Sequence, residues 1–450
     1  MFKRDALKNL NDWKDNPDRK PLVLRGARQV GKTTLVKIFA NQFDHFIYLN
    51  LDIVSDKNIF EKNDNLDKII QILFYNSGIS QSTSERVLIF IDEIQNSPNA
   101  IKLLRYFYEE RNELFVIAAG SLLETIINRQ VSFPVGRVEY LLLKPFSFCE
   151  YLDAIQHTNA LNAINEEVFP DYAHDNLIEL FNEYCLIGGM PEVVESYSKY
   201  QDLVRISKIQ EYLITTYLDD VEKYAKNDKQ AIIIRFLISN SIKYAGERIK
   251  FEGFGESNYR SKEIGEGLRI LEKTFLLSLN YPTTSAHIPA TENFRKSPKL
   301  QFLDTGIVNK FAGVQASVLS NDYIEDVYSG KIAEHIVGQE LSALNKNVLS
   351  KNIFWVREKK QSNAEVDYLL QHKEFLIPIE VKAGKVGRLR SLMAYIDIAP
   401  HIYAVRVYSG KLSIEKTKTL NNKEFILLNL PFYLISKIHH YIEKMIADNI

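Results

Sequence analysis

Runs that are almost wholly apolar recur along the first third of the chain: PLVL at 21–24, FIYLNL at 46–51, VLIFI at 87–91 and LFVIAA at 114–119. A strand with one wet face alternates polar and apolar residues. A near-continuous run instead predicts a strand covered on both faces, as in a parallel sheet. Between these runs the apolar spacing changes to that of helices. Residues 3–13 place Leu7 and Leu10 on one side, and TTLVKIFANQF at 33–43 follows a Gly-rich turn. Strand and helix in alternation predict an α/β domain.

The pattern is helical from about residue 146 to 206, interrupted at Gly188-Gly189-Met190-Pro191. It stays mostly helical to about residue 279 through EYLITTYLDDVEKYA, KQAIIIRFLISNSIKYAG and SKEIGEGLRILEKTFLLSL. Beyond a stretch containing Pro and Ser, strands KLQFLD, NIFWVRE, EVDYLL, FLIPIEV and IYAVRV surround the helix GKIAEHIVGQELSAL, predicting a second α/β unit.

Length and composition narrow the reading. At 450 residues, roughly two to four domains are expected. Hydrophobic residues make up 46% and charged residues 25%, values of a globular chain rather than a disordered one. The net charge of -1 offers no global basic field, so any nucleic-acid contact must be a local patch. Cys149 and Cys185 are the only cysteines, too few for a disulfide or zinc framework, and they point to a reducing compartment. The charged N-terminus has no signal-peptide core and no run is long enough to span a bilayer, so a cytoplasmic protein without membrane contact is expected.

GARQVGKTT fits G-x-x-x-x-G-K-[ST], with an apolar run before it and a helix after it. Glycines let backbone N–H groups close around phosphate oxygens, and the helix N-terminus adds a favourable dipole. Gly26, Ala27, Arg28, Gln29, Val30, Gly31, Lys32, Thr33 and Thr34 are therefore the expected nucleotide cradle. Lys32 is expected on the β- and γ-phosphates and Thr33 on Mg2+. VLIFIDEIQ ends a strand in Asp92, expected near the same metal, and Glu93, expected as general base for a water. No N-K-x-D guanine signature is present, which favours ATP. Ser121, at the tip of the AAGS strand end, reads either as a hydrogen-bond donor to the γ-phosphate or attacking water, or as a helix N-cap. Arg137 reads either as a stabiliser of transferred-phosphate charge, in cis or across a subunit interface, or as a surface arginine.

LRGARQVGKTTL, IDEIQ, AAGS, PVGRVEYLLLKPFSFCEYL and CLIGGMPEVV, in this order, resemble prokaryotic AAA-type ATPases that carry a C-terminal domain of unknown function. AAGS departs from the family's frequent Thr-Gly-Ser but keeps Ser121. The resemblance implies an AAA-type core at 1–150, a helical lid at 151–207, a winged-helix-like module at 208–292 and a restriction-endonuclease-like domain at 293–450. In the winged-helix reading, Tyr259, Arg260, Lys262, Arg269 and Lys273 supply phosphate contacts; Glu263, Glu266 and Glu272 on the same stretch favour packing between domains instead.

FLIPIEVKAG, at 375–384, places Glu380 and Lys382 on one face of an apolar strand. EVDYLL puts Glu365 and Asp367 on one face of the strand before it, and the preceding helix offers Glu334. This order resembles the PD-(D/E)xK superfamily, which implies Asp367 and Glu380 on Mg2+, Glu334 assisting, and Lys382 positioning the attacking water. Lys385, Arg388 and Arg390 follow with no acid among them, suiting a phosphodiester backbone. Such folds also serve as binding platforms that cut nothing. Two functions follow: an ATPase whose C-terminal domain binds or cleaves DNA, or an ATP-driven switch that binds a protein partner. Whether the core assembles as a homo-oligomer stays open, since AAA-type cores often borrow a neighbour's arginine.

Overall fold

The computed structural model describes residues 2–80, 85–120, 134, 136–313, 330–345, 347, 350–358, 364–384 and 388–447. They divide into two compact units, one built chiefly from residues 2–144, with 273–275 and 347, and the other from residues 145–272, 276–345 and 350–447.

In the first unit, β1 (Leu22–Arg25), β2 (His45–Asn50), β3 (Val87–Asp92), β4 (Phe115–Ala119) and β5 (Glu139–Leu142) form a sheet in the order β2-β3-β4-β1-β5. Every neighbouring pair is parallel, as the uninterrupted apolar runs require. Residues of β1, β3 and β4 are all buried. On one face Val23, Ile89, Ile91, Val116 and Ala118 pack with Phe60, Ile69, Leu73, Ile101, Leu104 and Phe107. These last come from α3 (Val54–Glu61), α4 (Leu66–Ser77) and α5 (Pro98–Glu110). Ser97 accepts the Ala100 N–H and Pro98 opens α5, which fixes where that helix starts.

Helix α1 (Ala6–Asp15) is shifted from the expected span and turns Ala6, Leu10 and Trp13 inward, leaving Leu7 half-buried. Trp13 meets Phe39 and Phe115 edge to face or tilted, at 6.3 and 6.1 Å between ring centres. Helix α2 (Lys32–Phe39) is shorter than expected, because residues 40–42 tighten into a 3-10 turn. Strand β5 was not expected; it is only four residues long and opens on a glutamate.

The second unit opens with helices Phe148–Ala154, Thr158–Asn165, His174–Ile187, Pro191–Tyr200, Leu203–Asp219, Asp228–Ser241 and Ser261–Lys273. Ser147 and Glu150 form a capping box at the first. The Gly-Gly break is a close approach of backbones. Gly188 has φ 80°, a Cβ on Gly189 would collide with the Phe146 carbonyl, and the Gly189 N–H donates 2.6 Å to buried Asp304.

The segments then alternate into a seven-stranded mixed sheet: β7 (Pro282–Thr283), β9 (Ile353–Val356), β10 (Glu365–His372), β11 (Phe375–Lys382), β12 (Tyr403–Tyr408), β13 (Ser413–Lys418) and β14 (Glu424–Pro431), ordered β13-β14-β12-β11-β10-β9-β7. Strands β6 (Leu277–Asn280) and β8 (Lys299–Phe302) make a separate antiparallel pair. Helix Arg390–Ile396 covers the sheet with Leu392, Tyr395 and Ile396 against Trp355, Val366, Leu376 and Leu427. Helix Gly330–Leu344 lies so near β10 that a Cβ at Gly338 would strike the Tyr368 hydroxyl. That hydroxyl donates 2.7 Å to the Glu334 carbonyl.

Candidate functional site

Parallel strands put their carboxyl ends on one edge, which is where open α/β sheets bind ligands. Arg25 of β1 and Asp92 of β3 end at that edge, with β4 between their strands. The loop leaving β1 folds only with glycine at its first position. Gly26 has φ 140°, and a Cβ there would collide with the Leu143 carbonyl. Gln29 also has positive φ, and Gly31, φ 92°, precedes the first turn of α2. Ala27 and Val30 are buried, Arg28 is half-buried, and Gln29 and Thr34 face solvent. The first N–H groups of α2 have no acceptor within the helix and can meet an anion.

Lys32 is buried, and its Nζ donates to the carbonyls of Gly26 (3.0 Å) and Ala27 (2.8 Å). Burial lowers its ammonium to about 8; Glu93 and Asp92 oppose this, and Arg28 adds to it. Thr33 Oγ1 donates 2.6 Å to Asp92 Oδ2, and the Tyr48 hydroxyl approaches the same oxygen at 3.4 Å. Asp92 Oδ1 accepts the Glu93 N–H at 3.1 Å. Glu93 takes the left-handed backbone (φ 52°), which turns it out of the strand, and the Gln95 side-chain amide holds its carboxylate. A hydroxyl and a carboxylate joined across two elements are the hard oxygen donors Mg2+ takes when phosphates and waters complete its shell. The residues present thus fit a magnesium-bound nucleotide.

Two supports escaped the sequence reading. Buried Arg4 donates to the carbonyls of Val30 (3.1 Å) and Lys144 (2.6 Å), pinning the loop from α1's approach. Gln95 lies within IDEIQ, but its role shows only when Glu93 is seen to turn back on it. Ser121 and Lys385 lie outside the described residues. Arg137 is half exposed and its guanidinium donates 2.7 Å to Glu109 of α5.

In the second unit β10 and β11 pair antiparallel, so Asp367, Glu380 and Lys382 do converge. Asp367 Oδ2 accepts the Val381 N–H at 2.8 Å, and Lys382 Nζ donates 2.7 Å to Glu380 Oε1. Glu380 is 6% exposed and its other oxygen has no partner among the described residues. The residue that the sequence reading did not place is Lys299. Its Nζ sits 2.8 Å from Glu365, 3.0 Å from Glu334 and 3.5 Å from Asp367. Burial works against its charge, but the three carboxylates outweigh burial and hold the ammonium well above the ordinary lysine range. Glu380 is pushed up to about 8 by burial and by Asp367, against the pull of Lys382. Among the described residues no three His, Cys, Asp or Glu side chains are disposed to hold a metal ion. With a buried ammonium already on three of its carboxylates, the cluster as it stands does not fit the divalent ion that the motif order implies.

Arg388 and Arg390 are exposed. In the middle segment, Glu263 pairs with Lys229 at 2.6 Å and Lys262 lies 4.0 Å from Glu266. Tyr259 packs on Phe236, with ring centres 5.3 Å apart. The charges of helix Ser261–Lys273 are thus largely matched, while Ile264, Leu268 and Leu271 are buried.

Residues 18–152 match a family model described as AAA domain. Residues 178–318 match Domain of unknown function (DUF8612), and residues 329–433 match Domain of unknown function (DUF4143). No curated protein matches the chain. Among solved structures, the Walker-type ATPase PABY2304 of Pyrococcus abyssi is similar at 15% identity and TM-score 0.46, covering 69% of this chain and 96% of that one. The Aeropyrum pernix ORC1 protein, solved in complex with DNA, is similar at 12% identity and TM-score 0.31, covering 71% and 94%. The N-terminal region is an AAA-type P-loop ATPase domain by its family match, and ATP binding and hydrolysis follow from that match. Among the described residues no helix is long and apolar enough to cross a membrane.

Proposed function

We propose that ATP is bound and hydrolysed in the loop between β1 and α2, by the residues gathered there. The bond between Thr33 and Asp92 carries this reading, because it joins the two groups a nucleotide-bound Mg2+ requires. Bound Mg2+ would neutralise phosphate charge and polarise the transferred phosphoryl group. The loop from Gly26 to Thr34 wraps the phosphates with N–H groups. Lys32 exchanges two carbonyl partners for the β- and γ-phosphate oxygens. Thr33 and Asp92 would hold the metal. Glu93 accepts a proton from the attacking water, and Gln95 keeps its carboxylate placed until then. Ser121 is assigned to the γ-phosphate or water, and Arg137 to transferred-phosphate charge, in cis or from a neighbouring copy. Calorimetry on Lys32→Ala is the test: lost ATP binding is expected, and undiminished binding heat would reject the site.

For the second unit, the restriction-endonuclease-like reading supplies a DNA-facing surface through Arg388 and Arg390, with the helix at 261–273 as a winged-helix element. The four-part division at 150, 207 and 292 is kept with it. Lys299 among the acids favours the other reading, a platform that binds DNA or a protein partner and cuts neither. DNA affinity measured against salt separates the partners: a steep slope indicates phosphate contacts, and no binding at low salt indicates a protein partner.

A further inference from the structure

We propose that Lys299 is the resident cation of the C-terminal acidic cluster, taking the place of a divalent ion, so that the intact chain takes up no such ion there. The inference rests on the non-cutting reading above and gives its cause. Lys299 is 5% exposed and stands at the start of β8, where its backbone pairs with Asn280 and bridges to Arg248. Its ammonium lies 5.0 Å from the ring centre of Phe354 and 5.8 Å from that of Tyr368. A lysine so enclosed cannot swing into solvent as a surface lysine does.

Most of the oxygens are already held. Lys299 is bound to one oxygen each of Glu334, Glu365 and Asp367, the other Asp367 oxygen accepts Val381 N–H, and Lys382 holds one Glu380 oxygen. Arg248 adds a further cation on Glu365 at 3.3 Å. A divalent ion needs several such oxygens at about 2.0–2.6 Å. It would also have to settle beside a buried ammonium of like sign. Glu380 Oε2 is a buried oxygen of the cluster left without a partner among the described residues. Removing the Lys299 charge while keeping its stem frees Glu334, Glu365 and Asp367 to join that oxygen around a metal.

Mn2+ uptake by the nucleotide-free full chain tests this, in wild type and Lys299→Met, each with and without Asp367→Asn. Asp367→Asn is expected to leave wild-type uptake unchanged. Lys299→Met is expected to gain a Mn2+ site that Asp367→Asn removes. Wild-type uptake that falls on Asp367→Asn, or a folded Lys299→Met chain with no added site, overturns the proposal. Fe2+ with ascorbate needs no variant: the unmodified chain should show no oxidative cleavage within β10 or β11, and cleavage there overturns it equally. Plasmid nicking, read on the same wild-type sample, keeps the two ideas apart. Nicking without cluster-bound metal sinks only the non-cutting reading; metal uptake without nicking sinks only the role given to Lys299.

Discussion

Thr33 Oγ1 and Asp92 Oδ2 stand 2.6 Å apart, tying the first turn of α2 to the end of β3. The hydroxyl and carboxylate need each other in the free protein, because neither is fully exposed and each satisfies the other. Asp92→Asn keeps the shape and removes the charge that a metal would seek. Its Mg2+-dependent ATP turnover is expected to fall by about a hundredfold or more, with the melting temperature little changed. Steady-state kinetics across Mg2+ concentrations checks this.

Lys32 gives a pH dependence whose sign follows from its burial. Without an anion its ammonium is lowered to about 8, whereas phosphate oxygens favour the charged form. ATP affinity should therefore be flat below pH 8 and weaken above it, by at most about tenfold per pH unit. The free protein has the opposite trend. Its unfolded state holds more protons than the folded one between about 8 and the ordinary lysine range, so this group's contribution to stability rises with pH across that window. Titration calorimetry at a series of pH values distinguishes the two.

Arg4 is buried and reaches the carbonyls of Val30 and Lys144 from the chain's charged start. Arg4→Ala leaves buried carbonyls with less to bind. A loss of roughly 1–3 kcal/mol in the first unit is expected, with weaker ATP binding, because Val30 belongs to the cradle. Chemical denaturation followed by Trp13 emission in a Trp355→Phe chain reads it.

In the second unit His335 is fully buried, faces the Thr305 hydroxyl at 2.8 Å and accepts the Phe302 N–H at 3.0 Å. Burial holds its imidazole down to about 4. As pH falls from about 6.5 toward 4, the unfolded chain gains a proton the folded one refuses, so stability falls with pH. Roughly 2 kcal/mol should be lost between pH 7 and 5, and a His335→Gln chain should lack that loss. Urea midpoints followed by Trp355 in a Trp13→Phe chain give the comparison.

What the sequence made legible follows from local rules. The parallel strands showed because both faces are dry, and the phosphate loop because its glycines and lysine have fixed spacing. Asp367, Glu380 and Lys382 converge as alternation on paired strands requires. Long-range partners were hidden. Arg4 is 26 residues from Val30, and Lys299 is 35 from Glu334 and 68 from Asp367, and no periodicity links such positions. Strands β13 and β14 were missed for different reasons. SIEKTK is a largely exposed polar edge, while EFILLNLP is apolar enough to read as helix or strand alike. Gln95 sat inside a quoted motif, yet only the left-handed turn at Glu93 brings the two side chains together.

The most direct measurement is steady-state Mg2+-ATP hydrolysis by Glu93→Gln beside the unaltered chain, with ATP binding recorded on both. Retained binding with turnover reduced by about a hundredfold or more is expected of a lost proton acceptor. Turnover equal to that of the unaltered chain would contradict the assignment of chemistry to the edge where β1 and β3 end.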